Sequence, residues 1–188
     1  MSDKYGEISN IHFKDENLKK ILTNISHPDY ENLDLYMKCL ALCHSVIVEK
    51  DEFKNLEYHA SSMDEKALVN GARYLNYTFV KKDIHNTMYL EINNQEHKFK
   101  LLNTIEFDSK RKRMSVIVKD MKNGKIILFM KGSDSILRAL TTKNREYLKI
   151  NEEHLIEFSS QGLRNFNIGY RYIDENDYNE WENLYKVC

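Results

Sequence analysis

The sequence is poor in the residues that interrupt or cross-link a chain. Its 188 residues include one proline, six glycines and three cysteines. Pro28 lies in the turn "SHPDY", and no linker rich in proline, glycine or serine, no internal repeat and no low-complexity block divides the sequence. We therefore expect a single domain over residues 1–188, long enough to bury a hydrophobic core without disulfides or metals.

Long apolar runs and an excess of one charge are also missing. No run approaches the roughly 20 residues that cross a bilayer, and the polar N-terminus does not resemble a signal peptide, which predicts a soluble chain. The 28 Lys+Arg and 29 Asp+Glu leave a formal net charge of -1. Because such a chain has no overall field that attracts polyanions, nucleic-acid binding would depend on a local patch.

The cysteines have two interpretations. Cys39 and Cys43 lie four residues apart on a predicted helix, so both thiols share a face and suit a packed core. Together with His44 they could instead form half of a metal site, but no second Cys or His cluster completes the four ligands of structural zinc. We favour core packing, and the odd thiol count favours a reducing compartment.

Two segments before residue 78 show the spacing of amphipathic helices. The first, "ENLDLYMKCLALCHSV", has apolar residues at helical intervals, namely Leu33, Tyr36, Met37, Leu40 and Cys43. In "SSMDEKALVNGARYL", Ser62 precedes Glu65 by three residues, which is the capping-box pattern. This pattern predicts that a second helix begins near Met63.

The middle of the chain changes to a strand pattern. Between Thr78 and Lys131, short β-branched and aromatic segments are separated by turn residues, which predicts an antiparallel sheet. Asn151 then caps a predicted helix that Gly162 ends, "NFNIGYRYI" predicts a strand returning to the sheet, and Asp174 introduces a last helix. Helices before and after a contiguous run of strands predict an α+β fold, a twisted antiparallel β-sheet flanked by helices.

One turn predicts a register. In "KNGK", Asn123 and Gly124 match a two-residue type I′ hairpin, which places Val116 opposite Lys131. Lys112, four residues before Val116, falls on the same face as Lys131. Their backbones would then be roughly 13 Å apart along the sheet, at about 3.4 Å per residue.

The usual phosphate-binding loops are absent, since neither GxxxxGK[ST] nor GxGxxG occurs. A bound nucleotide would therefore need a pocket of side chains on a sheet face. The basic run 110–113 is a second candidate for anion binding, but alternation along an extended segment sends its side chains to opposite faces. At most half of this run can line one pocket.

Five segments in order carry a resemblance to a known family: "LALCHSVIVE", "ASSMDEKALV", "FDSKRKRMSVIV", "FMKGSDSIL" and "SSQGLRNF". Together they resemble the nucleotide-binding domain of type IV P-type ATPases, the phospholipid flippases. The resemblance extends from Tyr5 to the segment "EWENLYK". Met63 stands where the family has proline and Ser133 where it has alanine, which leaves the exact shape of the pocket open.

The resemblance implies a cytosolic domain that binds ATP. It would present the γ-phosphate to an aspartate in a DKTGT motif on a neighbouring domain, and this chain has no such motif. The chain is then expected to be excised from a larger membrane ATPase and to bind ATP without turnover. Expected partners are the phosphorylation and actuator domains of the same polypeptide and an accessory subunit, with Mg²⁺ ligands outside the domain.

The resemblance also implies the cytosolic face of a membrane as the location, without direct membrane contact by this domain and without nucleic acid. Three residues are expected to contact the nucleotide directly. Phe107 would stack on adenine, Glu65 would accept from the adenine amino group, and Lys131 would pair with the nucleotide. Gly132 would allow the ligand to approach the backbone.

Three further residues complete the implied site. Arg164 would lie near the phosphates, where a forked guanidinium suits oxyanions. Ser109 and Lys112 would supply further polar contacts. Arg111 and Arg113, on the opposite alternation, are expected to face solvent or acidic neighbours.

Each of these residues has an ordinary interpretation as well. Glu65 could close the capping box, Phe107 could belong to the core, Lys131 could be solvated, and Arg164 could satisfy carbonyls at a helix end. Two other functions also stay open. The chain could be a regulatory flippase-like module, as in fusions to nucleotide cyclases, or the basic run could bind nucleic acid with strong salt dependence.

Overall fold

The structure, a computed structural model, describes residues 2–8, 11, 14–141 and 145–186. Within these residues the chain forms six helices and ten strands. The helices are α1 (Glu16–Thr23), α2 (Tyr30–Leu42), α3 (Met63–Tyr74), α4 (Asp134–Leu140), α5 (Arg145–Ser160) and α6 (Glu175–Tyr185). The strands are β1 (Ser2–Asp3), β2 (Gly6–Glu7), β3 (Ile47–Lys50), β4 (Leu56–His59), β5 (Tyr77–Lys82), β6 (Thr87–Ile92), β7 (Gln95–Asp108), β8 (Arg113–Asp120), β9 (Ile126–Gly132) and β10 (Asn167–Ile173). Across these described ranges, no helix has the length and apolarity needed to span a bilayer.

The main sheet has six antiparallel strands in the order β10-β9-β8-β7-β6-β5. Strands β5 to β9 form a meander in which each strand pairs with the next along the chain. After α4 and α5 the chain returns as β10 and pairs with β9. The α+β prediction and the predicted returning strand are both confirmed.

The sheet buries a different cluster on each face. Alternate residues of the strands, such as Met114, Val116 and Val118 of β8, pack with α2 and α3 in the larger cluster. The intervening residue Ile117 packs with Tyr178 of α6 in a smaller cluster on the other face. The period of two along each strand thus produces a layer of helices on both sides of the sheet.

Helix α2 is buried more widely than its predicted stripe. Its second half is buried all round, from Cys39 to Leu42, because it lies between the sheet and α3. Tyr36, predicted on the core face, is exposed instead. Cys39 and Cys43 have no exposed surface and belong to the larger core cluster, so the core-packing interpretation is confirmed.

The predicted start of α3 is confirmed, but the predicted capping box is wrong. Ser62 takes the N-cap position with extended backbone angles and makes no side-chain capping bond. The carboxylate of Glu65 turns away from the cap and contacts Ser45 and Lys131. A contact with a distant cation has replaced the local one.

Helix α5 begins at Arg145, earlier than predicted, so Asn151 lies inside the helix and does not cap it. Leu148 extends the apolar face of Leu155 by two turns, which explains the earlier start. The predicted end is confirmed, since Gly162 has a φ of 74° and the amide of Leu163 donates to the carbonyl of Phe158. This is the bonding of a Schellman cap.

The predicted register of the β8–β9 hairpin is wrong by two residues. Met114, rather than Val116, lies opposite Lys131, and Val116 lies opposite Phe129. Because the shift is even, Val116 and Lys131 still share a face, as predicted.

The cause of the shift is Asp120, the last residue of β8, which precedes a four-residue loop, 121–124, where a two-residue loop was predicted. Its carboxylate accepts from the amide of Lys122 at 2.8 Å and from the side chain of Asn123 at 3.0 Å. The amide of Gly124 donates to the Asp120 carbonyl, and the amide of Asp120 donates to the Lys125 carbonyl. Gly124 has a φ of 74°, so the glycine alone supplies the positive φ that the loop requires.

Candidate functional site

A cavity of about 860 Å³ lies where β7 and β9 end and β8 begins, beside the N-terminus of α3. The residues that line it come from five separate stretches of the chain. They are Ser45, Ser61, Ser62, Asp64, Glu65, Ala67, Leu68, Glu106, Phe107, Lys112, Met114, Lys131, Gly132, Ser133, Arg164, Asn165 and Phe166. Its volume lies within the roughly 300–1,000 Å³ of ordinary ligand pockets.

An ion pair joins α3 to β9 within this cavity. The Nζ of Lys131 lies 2.6 Å from Oε1 of Glu65, and each side chain is only 13% exposed. The other carboxylate oxygen, Oε2, accepts from the amide of Ser45 at 3.1 Å and from its hydroxyl at 2.5 Å. Glu65 is therefore held from two sides by elements distant in sequence.

These contacts keep Glu65 ionised. Burial by itself would raise the pKa of the carboxyl, but the hydrogen bonds from Lys131 and Ser45 outweigh burial and hold the pKa below its ordinary value. A carboxylate has about four lone-pair sites, of which these partners use three. The fourth can accept from a donor on a ligand.

Phe107 forms an apolar wall of the cavity. Phe107 is 63% exposed, although it is the second-last residue of β7 in the main sheet, so the core interpretation is wrong for this residue. Leu68, Met114 and Phe166 supply further apolar surface in the same cavity. An exposed ring face beside aliphatic side chains suits a planar heteroaromatic group.

A tight turn over residues 109–112 positions Lys112. The carboxylate of Asp108 accepts from the amides of Lys110 at 2.8 Å and Arg111 at 3.0 Å, and these two bonds hold the pKa of Asp108 below its ordinary value. The amide of Lys112 then donates to the Asp108 carbonyl, and Lys112 itself has a φ of 51°. Regular alternation predicted Lys112 on the strand. Lys112 instead lies in the turn before β8, and it still lines the cavity.

The corrected register brings the two lysines nearer together. Because Lys131 lies opposite Met114, Lys112 precedes its cross-strand neighbour by two residues, which is about 7 Å along the sheet rather than 13 Å. Both line the same cavity, as predicted. Gly132 is needed there for packing, since a Cβ on it would lie 2.6 Å from the Lys112 carbonyl oxygen and 2.7 Å from Cβ of Arg113.

The two arginines of the basic run do not line the cavity. Strand alternation predicted this, but the actual reason is their hydrogen bonds to backbone carbonyls. The guanidinium of Arg111 donates to the Glu106 carbonyl at 3.2 Å, and that of Arg113 donates to the Arg111 carbonyl at 3.2 Å. Arg113 is partly buried rather than solvent-facing. The run 110–113 thus does not form a uniform cationic surface.

Arg164 reaches the cavity from the segment between α5 and β10. Its Nη2 lies 2.8 Å from the carboxylate of Asp64, with the two side chains 84% and 45% exposed. Asn165 fixes the same segment by donating to the hydroxyl of Ser159 at 2.8 Å. The guanidinium is therefore at the rim, held by a surface ion pair that a ligand can displace.

Five of the six predicted site residues meet in this cavity, namely Glu65, Phe107, Lys112, Lys131 and Arg164. Ser109 lies exposed in the preceding turn and is not among the residues that line the cavity, so its contact stays a prediction. Sequence reasoning missed Ser45 and Phe166. No local pattern marks Ser45, because its partner Glu65 lies 20 residues away.

The charges of the cavity balance. Asp64, Glu65 and Glu106 supply three carboxylates, and Lys112, Lys131 and Arg164 supply three cations. Asp64 and Glu65 hold two of these cations in ion pairs, so an anion that binds Arg164 or Lys131 competes with those carboxylates. The apolar wall and the cations together suit a ligand with an aromatic part and an anionic part.

Comparison with known proteins gives a consistent family. A model of the P-type ATPase cytoplasmic domain N matches residues 32–187. The chain is 38% identical over 174 residues to Phospholipid-transporting ATPase DRS2 of Saccharomyces cerevisiae, an alignment covering 92% of this chain and 13% of that protein. It is 36% identical over 164 residues to Phospholipid-transporting ATPase 10 of Arabidopsis thaliana, covering 84% and 14%.

Phospholipid-transporting ATPase C887.12 of Schizosaccharomyces pombe is 34% identical over 167 residues, covering 88% of this chain and 13% of that protein. The chain thus spans about 13% of the length of the curated relatives it matches.

Proposed function

The chain belongs to the family of P-type ATPase cytoplasmic N domains, and we propose that it binds ATP on behalf of a phospholipid-transporting member of that family. One observation carries the proposal. Five residues expected to contact ATP, drawn from four separate stretches of sequence, line a single cavity of ligand size. An exposed aromatic ring, a carboxylate acceptor and three cationic side chains would rarely line one cavity by chance.

Two residues recognise the base in this proposal. The exposed ring of Phe107 stacks on adenine, and such stacking contributes about 1–3 kcal/mol per base in nucleic-acid binders. The ionised carboxylate of Glu65 accepts from the adenine amino group through its remaining lone pair. Guanine presents a carbonyl at that position, so the same carboxylate disfavours GTP.

The cations bind the phosphates. Arg164 leaves its exposed partner Asp64 and donates its forked N–H groups to phosphate oxygens. Lys112 and Lys131 supply ammonium groups from the neighbouring strand ends, and Ser109 adds a hydroxyl contact from the turn. Since the ion pair of Arg164 is exposed, its loss costs little, at most about 1 kcal/mol.

The phosphoryl-transfer step belongs to other parts of the polypeptide. In the proposal this chain holds ATP and a phosphorylation domain supplies the aspartate that accepts the γ-phosphate, so the chain alone binds ATP without hydrolysing it. Mg²⁺ requires oxygen ligands in octahedral geometry, and it would neutralise charge on the phosphates. Two of the three carboxylates that line the cavity, Asp64 and Glu65, are engaged with cations, and we propose that the Mg²⁺ ligands lie outside this chain.

The wider setting follows from the family. We propose that the full polypeptide is integral to a membrane, with this domain on the cytosolic face beside the phosphorylation and actuator domains, and that an accessory subunit joins it. Nucleic acid is not among the proposed partners. The relatives named above are phospholipid-transporting ATPases and give no support to the regulatory-module alternative.

Isothermal calorimetry with the purified chain tests the proposal. We expect the chain to bind ATP. Phe107→Ala should weaken this binding about 5- to 150-fold, the equivalent of losing one stacked base, and Lys131→Ala should also weaken it. Phe53→Ala is the matched control, because that phenylalanine is 83% exposed and lies outside the cavity.

Binding of ATP by the wild type and by Phe53→Ala, with weaker binding by the other two variants, would support the site. Equal affinity in all four proteins would contradict it, and tighter binding of GTP than of ATP would contradict the role of Glu65.

A further inference from the structure

Ser45 contacts Glu65 with two donors at once. It lies just after α2, and its amide and hydroxyl both reach Oε2 of the carboxylate, at 3.1 Å and 2.5 Å. Lys131 holds the other oxygen, Oε1, at 2.6 Å. The two oxygens therefore have different partners, which fixes the rotation of the carboxylate group about its last bond.

The turn that presents Ser45 is itself fixed by a buried histidine. The ring of His44 accepts from the amide of Val46 at Nδ1, 3.1 Å away, and Nε2 donates to the carbonyl of Ala41 at 2.9 Å. Burial lowers the pKa of His44 to about 4, which keeps the ring in the neutral form that these two bonds require. The backbone on both sides of Ser45 is thus anchored to one imidazole.

We propose that Ser45 is a positioning residue of the nucleotide site, holding one oxygen of Glu65 so that the other faces Lys131 and the base. The inference rests on the proposed function, because it gives the oriented carboxylate an adenine amino group to accept from. A serine hydroxyl and amide suit this task, since both donate to the ionised form. Without them, Glu65 has only the flexible ammonium of Lys131 to orient it.

The other charged groups around the cavity bear on the test. Asp64 and Arg164 pair with each other at the rim, while Lys112 and Glu106 line the wall. His44, with a pKa of about 4, also titrates in the acidic range. None of these groups is altered in a Ser45 variant, so a difference in the titration of Glu65 between the variant and the wild type reports the lost hydrogen bond.

The experiment is an NMR titration of the Glu65 side-chain carboxyl in the nucleotide-free chain, followed by calorimetry with ATP. Ser45→Ala should raise the pKa of Glu65 toward its ordinary value and weaken ATP binding about three- to tenfold, the size expected for one lost hydrogen bond. Ser45→Thr keeps the hydroxyl and should restore both quantities. Ser26→Ala is the matched control, since that exposed serine also follows a helix, α1, and lies away from the cavity.

The outcomes separate the two proposals. A raised Glu65 pKa in Ser45→Ala, restored in Ser45→Thr, supports the orientation of Glu65 by Ser45. If the wild type nevertheless binds no ATP, that orientation stands and the proposed function falls, together with the nucleotide as the ligand of Glu65. An unchanged pKa overturns the positioning role, and weaker ATP binding would then mark Ser45 as a direct ligand contact. Thermal unfolding of each variant shows whether the substitution lowers the melting temperature. We expect Ser45→Thr, which keeps the hydroxyl, to retain the wild-type melting temperature.

Discussion

The ion pair between Glu65 and Lys131 should contribute more to folding than a surface pair of the same chemistry. Its atoms lie 2.6 Å apart, and each side chain is 13% exposed. Exposed pairs show coupling energies of about 0.2–1 kcal/mol, and close charge pairs that are desolvated show coupling energies of about 1.5–7 kcal/mol. Partial burial with a second partner, Ser45, places this pair between those limits, at a coupling energy of about 1–3 kcal/mol.

A double-mutant cycle measures that coupling. Urea unfolding of the wild type, Glu65→Gln, Lys131→Met and the double variant at neutral pH gives the free energy that the single changes share. The matched control is the pair of Lys119 and Glu175, also distant in sequence and 2.7 Å apart, but 32% and 66% exposed. Its coupling should not exceed about 1 kcal/mol.

The coupling of the cavity pair should also depend on pH with a defined sign. The folded-state pKa of Glu65 lies below its ordinary value of 4.5, so the stabilisation is complete above that value and is lost as the pH falls through the folded pKa. A coupling energy no larger than that of the control pair, or one that grows on acidification, would refute the reasoning.

Three further predictions follow from single contacts. Gly132→Ala should lower the free energy of unfolding in urea by about 1–3 kcal/mol, because the added Cβ would overlap the Lys112 carbonyl. Gly71→Ala, which has open space around it in helix α3, should raise the free energy of unfolding by about 0.5–1 kcal/mol. Equal effects of the two substitutions would contradict the packing at Gly132. Because the pKa of His44 is about 4, its ring resonances in NMR spectra should not titrate between about pH 5.5 and 7.5. The free energy of unfolding should fall as the pH drops from 6.5 toward 4, because in that range only the unfolded chain binds a proton at this histidine. Asp64→Asn should tighten ATP binding up to about fivefold in calorimetry, because the Asp64 carboxylate competes with phosphate for Arg164 at the rim. The affinity for adenosine, which has no phosphate, should not change. An equal gain in affinity for both ligands would contradict this prediction.

The meander was predictable because its signals are local. Alternating apolar residues and turn residues between Thr78 and Lys131 mark strands without reference to the rest of the chain. The register was not, because it depends on which residue faces Asp120 across the hairpin: its amide bonds to the Lys125 carbonyl while its carboxylate accepts from its own loop. That competition shifts the hairpin by two residues and leaves every face unchanged.

The site shows the same division between local and distant signals. The resemblance of ordered segments predicted Phe107 and Lys131, which both line the cavity, but not the choice of partner that Glu65 makes. Locally, Ser62 offers a capping box three residues away, whereas in the folded chain Lys131 offers a charge 66 residues away. Only tertiary packing decides between them, which also explains why Ser45 carried no signal.

The five stretches that line the cavity have a consequence for how the chain matures. The strands of the meander pair with sequence neighbours, which favours early formation of the middle stretches, whereas the rim needs the segment 164–166, which follows them in the chain. A partly folded chain therefore lacks a complete pocket. A nucleotide that binds only the finished domain would stabilise it by about 2.7 kcal/mol at a hundredfold excess over Kd. Nucleotide binding would then shift the folding equilibrium toward the chain in which all five stretches are in place.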